Sequence, residues 1–293
     1  MRMVTLLLLT LTLTLAAATP GPQSPAPAAP EPFGAGLFTD TYRGTFAPDG
    51  NTLYFFRPVG GNENYRIFSS RRSASGWSVP ERVDLGGDFS DLYPSISRDG
   101  RRMVFSSYRP IPGGSTGKPN AHVWSAERTD RGWGTPVFVS SVSLPGHYHS
   151  WVEIGFDDAL YFRRTTPDWK KTESLRAPWT GAGYAAPEPN ADVERWKGWR
   201  ANVTIAGGSP GPNASLVFLD VAARHPGTGK PASDIWVVEK RNGAWLEPRP
   251  LAGGVNSDGF DVFPFFSPDG RELYFVRDFS AFYRVPLAAA LGR

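Results

Sequence analysis

Charged side chains recur at two positions of the sequence where they could meet and do chemistry. Asp91 and Asp261 each stand eight residues before the aspartate of an Asp-Gly pair. Asp40 stands beside the corresponding position of an earlier copy, and His149 takes that position in another copy if one deletion is allowed. The second position follows a Phe that closes an apolar run, and it holds three arginines: Arg57, Arg164 and Arg277.

Two interpretations of these residues stay open. Buried charges are usually paired, so a ring of Asp–Arg pairs could tie neighbouring parts of the fold together, which is the more ordinary interpretation. Gathered at one mouth, the same carboxylate, imidazole and guanidinium groups would suit a polar or anionic ligand, such as a peptide carboxylate or an acidic sugar. The ligand-binding prediction names all of these residues.

The tetrapeptide Thr-Gly-Lys-Pro occurs twice, 112 residues apart, with Lys118 and Lys230 as its lysines. Its composition is that of an ordinary turn with a solvated Lys. The alternative, which we take as a prediction, is a pair of loops that contact a partner.

A metal, a cofactor and a catalytic residue are not predicted. His147 and His149 could both ligate a metal only if their strand twists or ends there, and the chain has no Cys and no obvious third ligand nearby. Glu153, Asp157 and Asp158 would be the first acids to consider for glycoside hydrolysis. Turn residues are the more ordinary interpretation of these acids.

These residues belong to one repeating unit, an apolar run, a turn, and a second apolar run that ends in Phe. The unit closes at five places, with intervals of 50, 57, 56 and 57 residues: Phe55, Phe105, Phe162, Phe218 and Phe275. A near-constant period of this length indicates one supersecondary unit used five times.

Each unit has the signals of four antiparallel strands. In the second copy, β-rich runs at 93–97 and 102–106 flank Asp99-Gly100, a favoured hairpin turn. A third β-rich run follows, and a Gly-Trp pair opens a fourth run that contains Pro. Pro suits an outer edge strand, where a missing N–H breaks no ladder bond. We therefore predict an all-β fold, a five-bladed β-propeller of four-stranded blades.

The ring is predicted to be closed by an N-terminal strand. The last copy stops after its third strand, and residues 30–33 stand before Thr41 at the offset that residues 80–83 have before Asp91. We infer that this segment supplies the missing outer strand and removes an open edge. The stretch 163–199 departs from the pattern, because it lacks a clean third and fourth strand and holds several Trp residues. It packs over a degenerate blade or forms a carbohydrate or protein contact.

Two segments resemble the TolB-type, WD-like propeller repeat that contains Pro-Asp-Gly. They are Ala47-Pro48-Asp49-Gly50 with Leu53-Tyr54-Phe55, and Pro268-Asp269-Gly270 with Leu273-Tyr274-Phe275. The resemblance implies a propeller, with a six-bladed TolB-like ring as the alternative to five blades. Propellers of this kind include envelope proteins that bind other proteins, sensory modules and accessory domains of hydrolases, so function does not follow from the fold.

The N-terminus predicts export. Residues 1–18 read as a signal peptide, residues 19–32 as a flexible Pro/Ala-rich tether, and residues 33–293 as the propeller domain. The absence of Cys means no disulfides, and the formal charge of +3 is not clustered as in a nucleic-acid binder. We predict a monomer of the periplasm or the outside medium, with no membrane span after signal cleavage.

The favoured functional prediction is a non-catalytic propeller that binds a protein or envelope ligand. Short Asp-Gly and Gly-Trp turns predict one closed face, and the opposite face carries the long loops, where binding groups usually sit. The alternative is a secreted hydrolase or lyase that acts on a glycan or small ester at the central mouth, with Asp91, His149 and Asp261 among its reactive groups.

Overall fold

Five sheets stand in a ring, each built from one copy of the repeat, which confirms the predicted five-bladed β-propeller. The computed structural model describes residues 28–60, 64–114, 120–201, 203–225 and 227–293. The predicted signal peptide, most of the predicted tether and Lys118 lie outside the described residues. Each innermost strand contacts the next blade, and the fifth blade contacts the first.

Within each blade neighbouring strands are antiparallel and follow chain order from the axis outwards, except that the outermost strand of blade 5 is the first of the chain. Blade 1 has β2 (Tyr42–Phe46), β3 (Thr52–Pro58), β4 (Tyr65–Ser73), β5 (Gly76–Trp77) and β6 (Glu81–Arg82). Blade 2 has β7 (Asp91–Ile96), β8 (Arg102–Ser107), β9 (His122–Thr129), β10 (Gly132–Trp133) and β11 (Val137–Phe138). Blade 3 has β12 (Tyr148–Ile154), β13 (Leu160–Thr165), β14 (Thr172–Ala177) and β15 (Glu188–Pro189). Blade 4 has β16 (Thr204–Pro210), β17 (Leu216–Arg224), β18 (Pro231–Arg241), β19 (Ala244–Trp245) and β20 (Arg249–Pro250). Blade 5 has β21 (Asp261–Phe266), β22 (Glu272–Arg277), β23 (Ala281–Pro286) and β1 (Glu31–Pro32).

The first strand of the chain closes the ring, as predicted. β1 pairs with β23, which places Glu31 opposite Arg284. The next residue, Phe33, is buried and packs on Tyr274, with the ring centroids 4.9 Å apart. Because β1 covers the outer edge of β23, blade 5 is built from both ends of the described chain.

Blade 3 corrects one expectation. The stretch 163–199 does contain a third and a fourth strand, β14 and β15, although it lacks the motifs of the other copies. The described residues also include two short helices, α1 (Ala191–Glu194) and α2 (Leu287–Ala290).

The closing Phe of each copy explains the repeat, because all five of these rings are at most 3% exposed and fill the space between sheets. Among the described residues, no helix has the length and apolarity needed to span a bilayer.

Candidate functional site

The predicted Asp–Arg residues form local pairs. Asp261 accepts a hydrogen bond from Arg277 Nε at 2.8 Å, and a second from Ser257 Oγ at 2.7 Å. Asp91 is also buried and paired, but with Arg109, whose Nη1 lies 2.9 Å from its Oδ1. Burial raises the pKa of Asp91, and Arg109 opposes that rise. Both carboxylates are paired with an arginine, as the more ordinary interpretation expects, but each pair lies within one blade and does not tie neighbouring blades together.

The remaining arginines of the set and Asp40 are separate from these pairs. Arg164 contacts Glu173, with Nη2 and Oε2 2.9 Å apart. The Arg57 guanidinium stacks over Phe68 at 4.1 Å from the ring centroid. Asp40 is exposed in a turn with a φ of 52°. Lys230 is exposed, and its structural equivalence to Lys118 falls outside the described residues.

His149 is fully buried against blade 2. Its Nε2 accepts a hydrogen bond from the backbone N–H of Leu144 at 3.1 Å, and its Nδ1 lies 3.3 Å from the carbonyl oxygen of Ala121. This arrangement requires the neutral ring with the proton on Nδ1, donated to Ala121. Burial and, to a smaller extent, His122, whose ring centroid is 5.2 Å away, together lower the pKa of His149 to about 3. Both ring nitrogens are therefore occupied by structural contacts.

The centre of the long-loop face is lined by aromatic side chains instead. Two cavities of about 530 and 580 Å³ adjoin there and share Tyr93, Tyr148 and Trp169. We call this surface the aromatic mouth. Its aromatic lining consists of Tyr42, Phe56, Tyr65, Tyr93, Tyr108, Tyr148, Trp151, Trp169, Phe263 and Phe279. Among the described residues, none of the predicted Asp, Arg and His site residues lines either cavity.

Bulges in the innermost strands aim three of these rings at the axis. Tyr93, Trp151 and Phe263 occupy the same position of blades 2, 3 and 5, and each has a positive φ between 53° and 56°. Bulky side chains rarely adopt this backbone conformation, and it concentrates at functional sites. The Phe263 ring contacts both others, with centroids 5.0 Å from Trp151 and 6.1 Å from Tyr93.

The rim of the aromatic mouth carries positive charge. Trp169 is 66% exposed and lies against Tyr148, with centroids 5.2 Å apart. The charged residues that line the mouth are Arg163, Lys170 and Lys197, and no Asp or Glu is among the described lining residues. The Arg163 guanidinium stacks over the Trp151 ring, 3.1 Å from its centroid. A ring ligand that bears an anion would meet aromatic faces and cations at the same place.

Four buried charges close the axis below the mouth. Arg43 of β2 and Glu153 of β12 form an ion pair across the axis, and Arg163 Nη2 lies 3.8 Å from Asp220 Oδ2. Burial raises the pKa of Asp220 to about 6, although Arg163 and Arg43 oppose this. Burial likewise raises the pKa of Glu153, against the effect of Arg43. The two acids and two arginines balance in formal charge, as buried ions must.

The short-turn face is not closed, contrary to the prediction. A cavity of about 370 Å³ opens there between the five turns that join the first and second strands. Glu153 and Arg43 lie on its floor. Of the three acids considered for hydrolysis, Glu153 thus belongs to an innermost strand, whereas Asp157 and Asp158 do lie in a turn.

Comparison with known proteins adds no function. No family model matches the sequence, and no curated protein matches it. A protein assigned as TolB from Agrobacterium tumefaciens is 13% identical, with 84% of this chain and 90% of that chain covered and a TM-score of 0.39. The gluconolactonase XC5397 from Xanthomonas campestris is 14% identical, with 91% and 98% covered and a TM-score of 0.48. The propeller domain of the trilobed protease from Pyrococcus furiosus is 12% identical, with 82% and 64% covered and a TM-score of 0.38.

Sequence reasoning missed the lining of the mouth, although the repeat contains a signal for it. Tyr93 and Phe263 each lie two residues after Asp91 and Asp261, and Trp151 lies two residues after His149. Alignment of these three copies on the closing Phe, with one deletion in the third copy, therefore marks an aromatic position. Alternation along a regular strand would place it on the same side as the Asp, and the bulges separate the two.

Proposed function

We propose that the protein is an exported, non-catalytic propeller that binds an acidic saccharide chain of the cell envelope at the aromatic mouth. The observation that carries the proposal is the mouth itself, with aromatic faces from blades 1, 2, 3 and 5 and three cations at one side. The C–H faces of sugar rings pack well on aromatic rings, and cations select for carboxylate groups. The place of action would be the periplasm or the outside medium.

Trp169 is the expected anchor of the ligand. It is exposed, yet held against Tyr148, so stacking on it costs little further ordering of the protein. Lys170, whose side chain is 83% exposed, follows it in sequence, and its Nζ lies 3.8 Å from Asp168 Oδ2. An exposed ion pair of this kind contributes little energy, so a ligand carboxylate can compete with Asp168 for this cation. The loop between β13 and β14 would thus form the carbohydrate contact that is one of the two interpretations of the irregular stretch 163–199.

The hydrolase or lyase alternative gains no support from the groups named for it. Asp91 and Asp261 are each paired with an arginine, and both nitrogens of His149 are occupied. A general base must reach the proton that it removes, and these three groups line neither cavity of the aromatic mouth.

Calorimetric titration with acidic and neutral oligosaccharides of matched length tests the proposal. We expect acidic chains to bind more tightly than neutral ones. Trp169→Ala should lower the affinity for the acidic chains about tenfold, or about 1.4 kcal/mol. Trp133→Ala is the matched control, because Trp133 belongs to the outer strand β10 and does not line the aromatic mouth. Equal binding of both classes, or an affinity that Trp169→Ala leaves unchanged, would contradict the proposal.

A further inference from the structure

The cavity on the short-turn face is built from three rings of side chains, with one residue from each blade in every ring. The deepest ring consists of Thr45, Ser95, Glu153, Ser209 and Phe265, of which Ser209 adjoins the lining. The middle ring consists of Phe46, Ile96, Ile154, Pro210 and Phe266. The rim consists of Pro48, Arg98, Phe156, Pro212 and Pro268. The volume of about 370 Å³ is that of a small-molecule site.

The floor presents a hydrogen-bond acceptor whose charge is already balanced. The Glu153 side chain is 14% exposed, whereas the Arg43 side chain paired with it is only 2% exposed. Arg43 is held in place by a second contact, from its Nη1 to Ser209 Oγ at 3.2 Å. The carboxylate therefore faces the cavity, and the guanidinium behind it cannot leave without becoming an unpaired buried charge.

This charge balance decides which ligands fit. A cation that reached Glu153 would also meet the positive charge of Arg43, and an anion would meet the carboxylate at close range. An uncharged hydroxyl group can donate a hydrogen bond to the carboxylate without either penalty. The hydroxyl groups of Thr45 and Ser95 lie in the same ring and add polar contacts at that depth.

The walls above the floor fit an apolar body. The middle ring contains two Phe, two Ile and one Pro, and the rim adds three Pro, one Phe and Arg98, whose guanidinium donates to the backbone carbonyl of Phe156. We propose that this cavity binds a compact, uncharged compound with an apolar ring and a hydroxyl group, inserted with the hydroxyl towards Glu153. The site is separate from the aromatic mouth, because the two openings lie on opposite faces.

Three probes of nearly equal size test the charge rule, namely benzyl alcohol, benzoate and benzylammonium. Each is titrated into the mature full-length protein, and binding is followed by the backbone amide shifts of Gly155 and Gly211, which line the cavity. We expect benzyl alcohol to shift these amides in the millimolar range, with both charged probes about tenfold weaker. Equal binding of all three probes, shifts confined to other surfaces, or no shift in this range would overturn the proposal.

Thr45→Phe fills the cavity and should abolish the shifts caused by benzyl alcohol. Thr129→Phe is the matched control, since Thr129 is exposed on β9 and outside the lining. Trp169→Ala should leave this binding unchanged, whatever it does to saccharide binding. If Thr45→Phe does not fold, the titration of the wild-type protein with the three probes still tests the proposal. Each result of that titration supports or overturns the charge rule.

Discussion

Arg43 of blade 1 and Glu153 of blade 3 form an ion pair across the propeller axis, between two blades that are not neighbours in the ring. Each residue occupies a bulged innermost strand, and the Arg43 side chain is almost completely removed from water, whereas the Glu153 side chain is 14% exposed. The pair separates the aromatic mouth from the cavity on the short-turn face. It is therefore both a link between blades and the floor of a binding site.

Substitution of one member of this pair should lower the free energy of unfolding more than substitution of both members. Glu153→Ala leaves the Arg43 guanidinium buried without its carboxylate, and we expect a loss of about 3–5 kcal/mol in the free energy of unfolding. Arg43→Met combined with Glu153→Ala should recover part of that loss. Urea denaturation of the two single variants and the double variant measures the coupling. Additive losses would show that the pair contributes no coupling energy.

Phe33 should contribute strongly to closure of the ring. Its ring contacts Phe38, Trp77 and Tyr274, and it follows β1 directly. Phe33→Ala is expected to lower the free energy of unfolding by about 3–5 kcal/mol, because it opens a cavity beside the closing strand. Val79→Ala is a suitable control, since Val79 is 73% exposed. A loss no larger than that of the control would contradict closure by this segment.

Acid should destabilise the junction between blades 2 and 3. The pKa of His149 is about 3 in the folded protein and about 6.5 in the unfolded chain, so below pH 6.5 only the unfolded chain takes up this proton. Stability therefore falls as the pH drops below about 6.5, by up to about 1.4 kcal/mol per pH unit, and levels off below pH 3.

The raised pKa of Asp220 acts in the opposite direction between about pH 6 and pH 4, so the test must isolate the histidine. We compare the pH dependence of the unfolding free energy in the wild type and in His149→Gln. The variant should show the shallower decrease on acidification. Parallel curves would mean that His149 does not stay neutral in the folded protein.

Gly207 should be required for the position of Arg163. A Cβ atom at residue 207 would overlap the Arg163 guanidinium, which stacks on Trp151. We expect Gly207→Ala to lower the free energy of unfolding by about 1–3 kcal/mol. The variant should also bind acidic saccharides at the aromatic mouth more weakly. Gly183→Ala is the control, because nothing lies within 4 Å of its added Cβ. Unchanged saccharide affinity in a folded Gly207→Ala variant would remove Arg163 from the binding surface.

The repeat made the fold predictable, and the bulges made the site unpredictable. The closing Phe and the Asp-Gly turns mark strands that pair locally, so they predicted the blades. The position of the incomplete last copy also predicted that β1 adds to blade 5. The face that each innermost residue presents depends on extra residues in the strand, such as Tyr93 and Trp151. These residues follow no turn motif. The prediction grouped the charges by sequence position alone. The structure pairs Asp261 with Arg277 but pairs Asp91 with a different arginine, Arg109.

Blade 3 shows a second limit of motif reading. Its strand β14 pairs with β13, and β15 pairs with β14, although the Gly-Trp motif is absent. These strands form because of contacts with neighbouring strands and neighbouring blades, and the local sequence does not indicate such contacts. The same loop that breaks the motif carries Trp169 and Lys170 to the mouth.

A crystal structure of the protein with the acidic oligosaccharide that binds most tightly tests the central claim most directly. We expect a sugar ring to stack on Trp169 or Tyr148, with its carboxylate within hydrogen-bond distance of Lys170 or Arg163. An oligosaccharide bound beside the Asp91–Arg109 and Asp261–Arg277 pairs, with no contact to the aromatic mouth, would contradict the account.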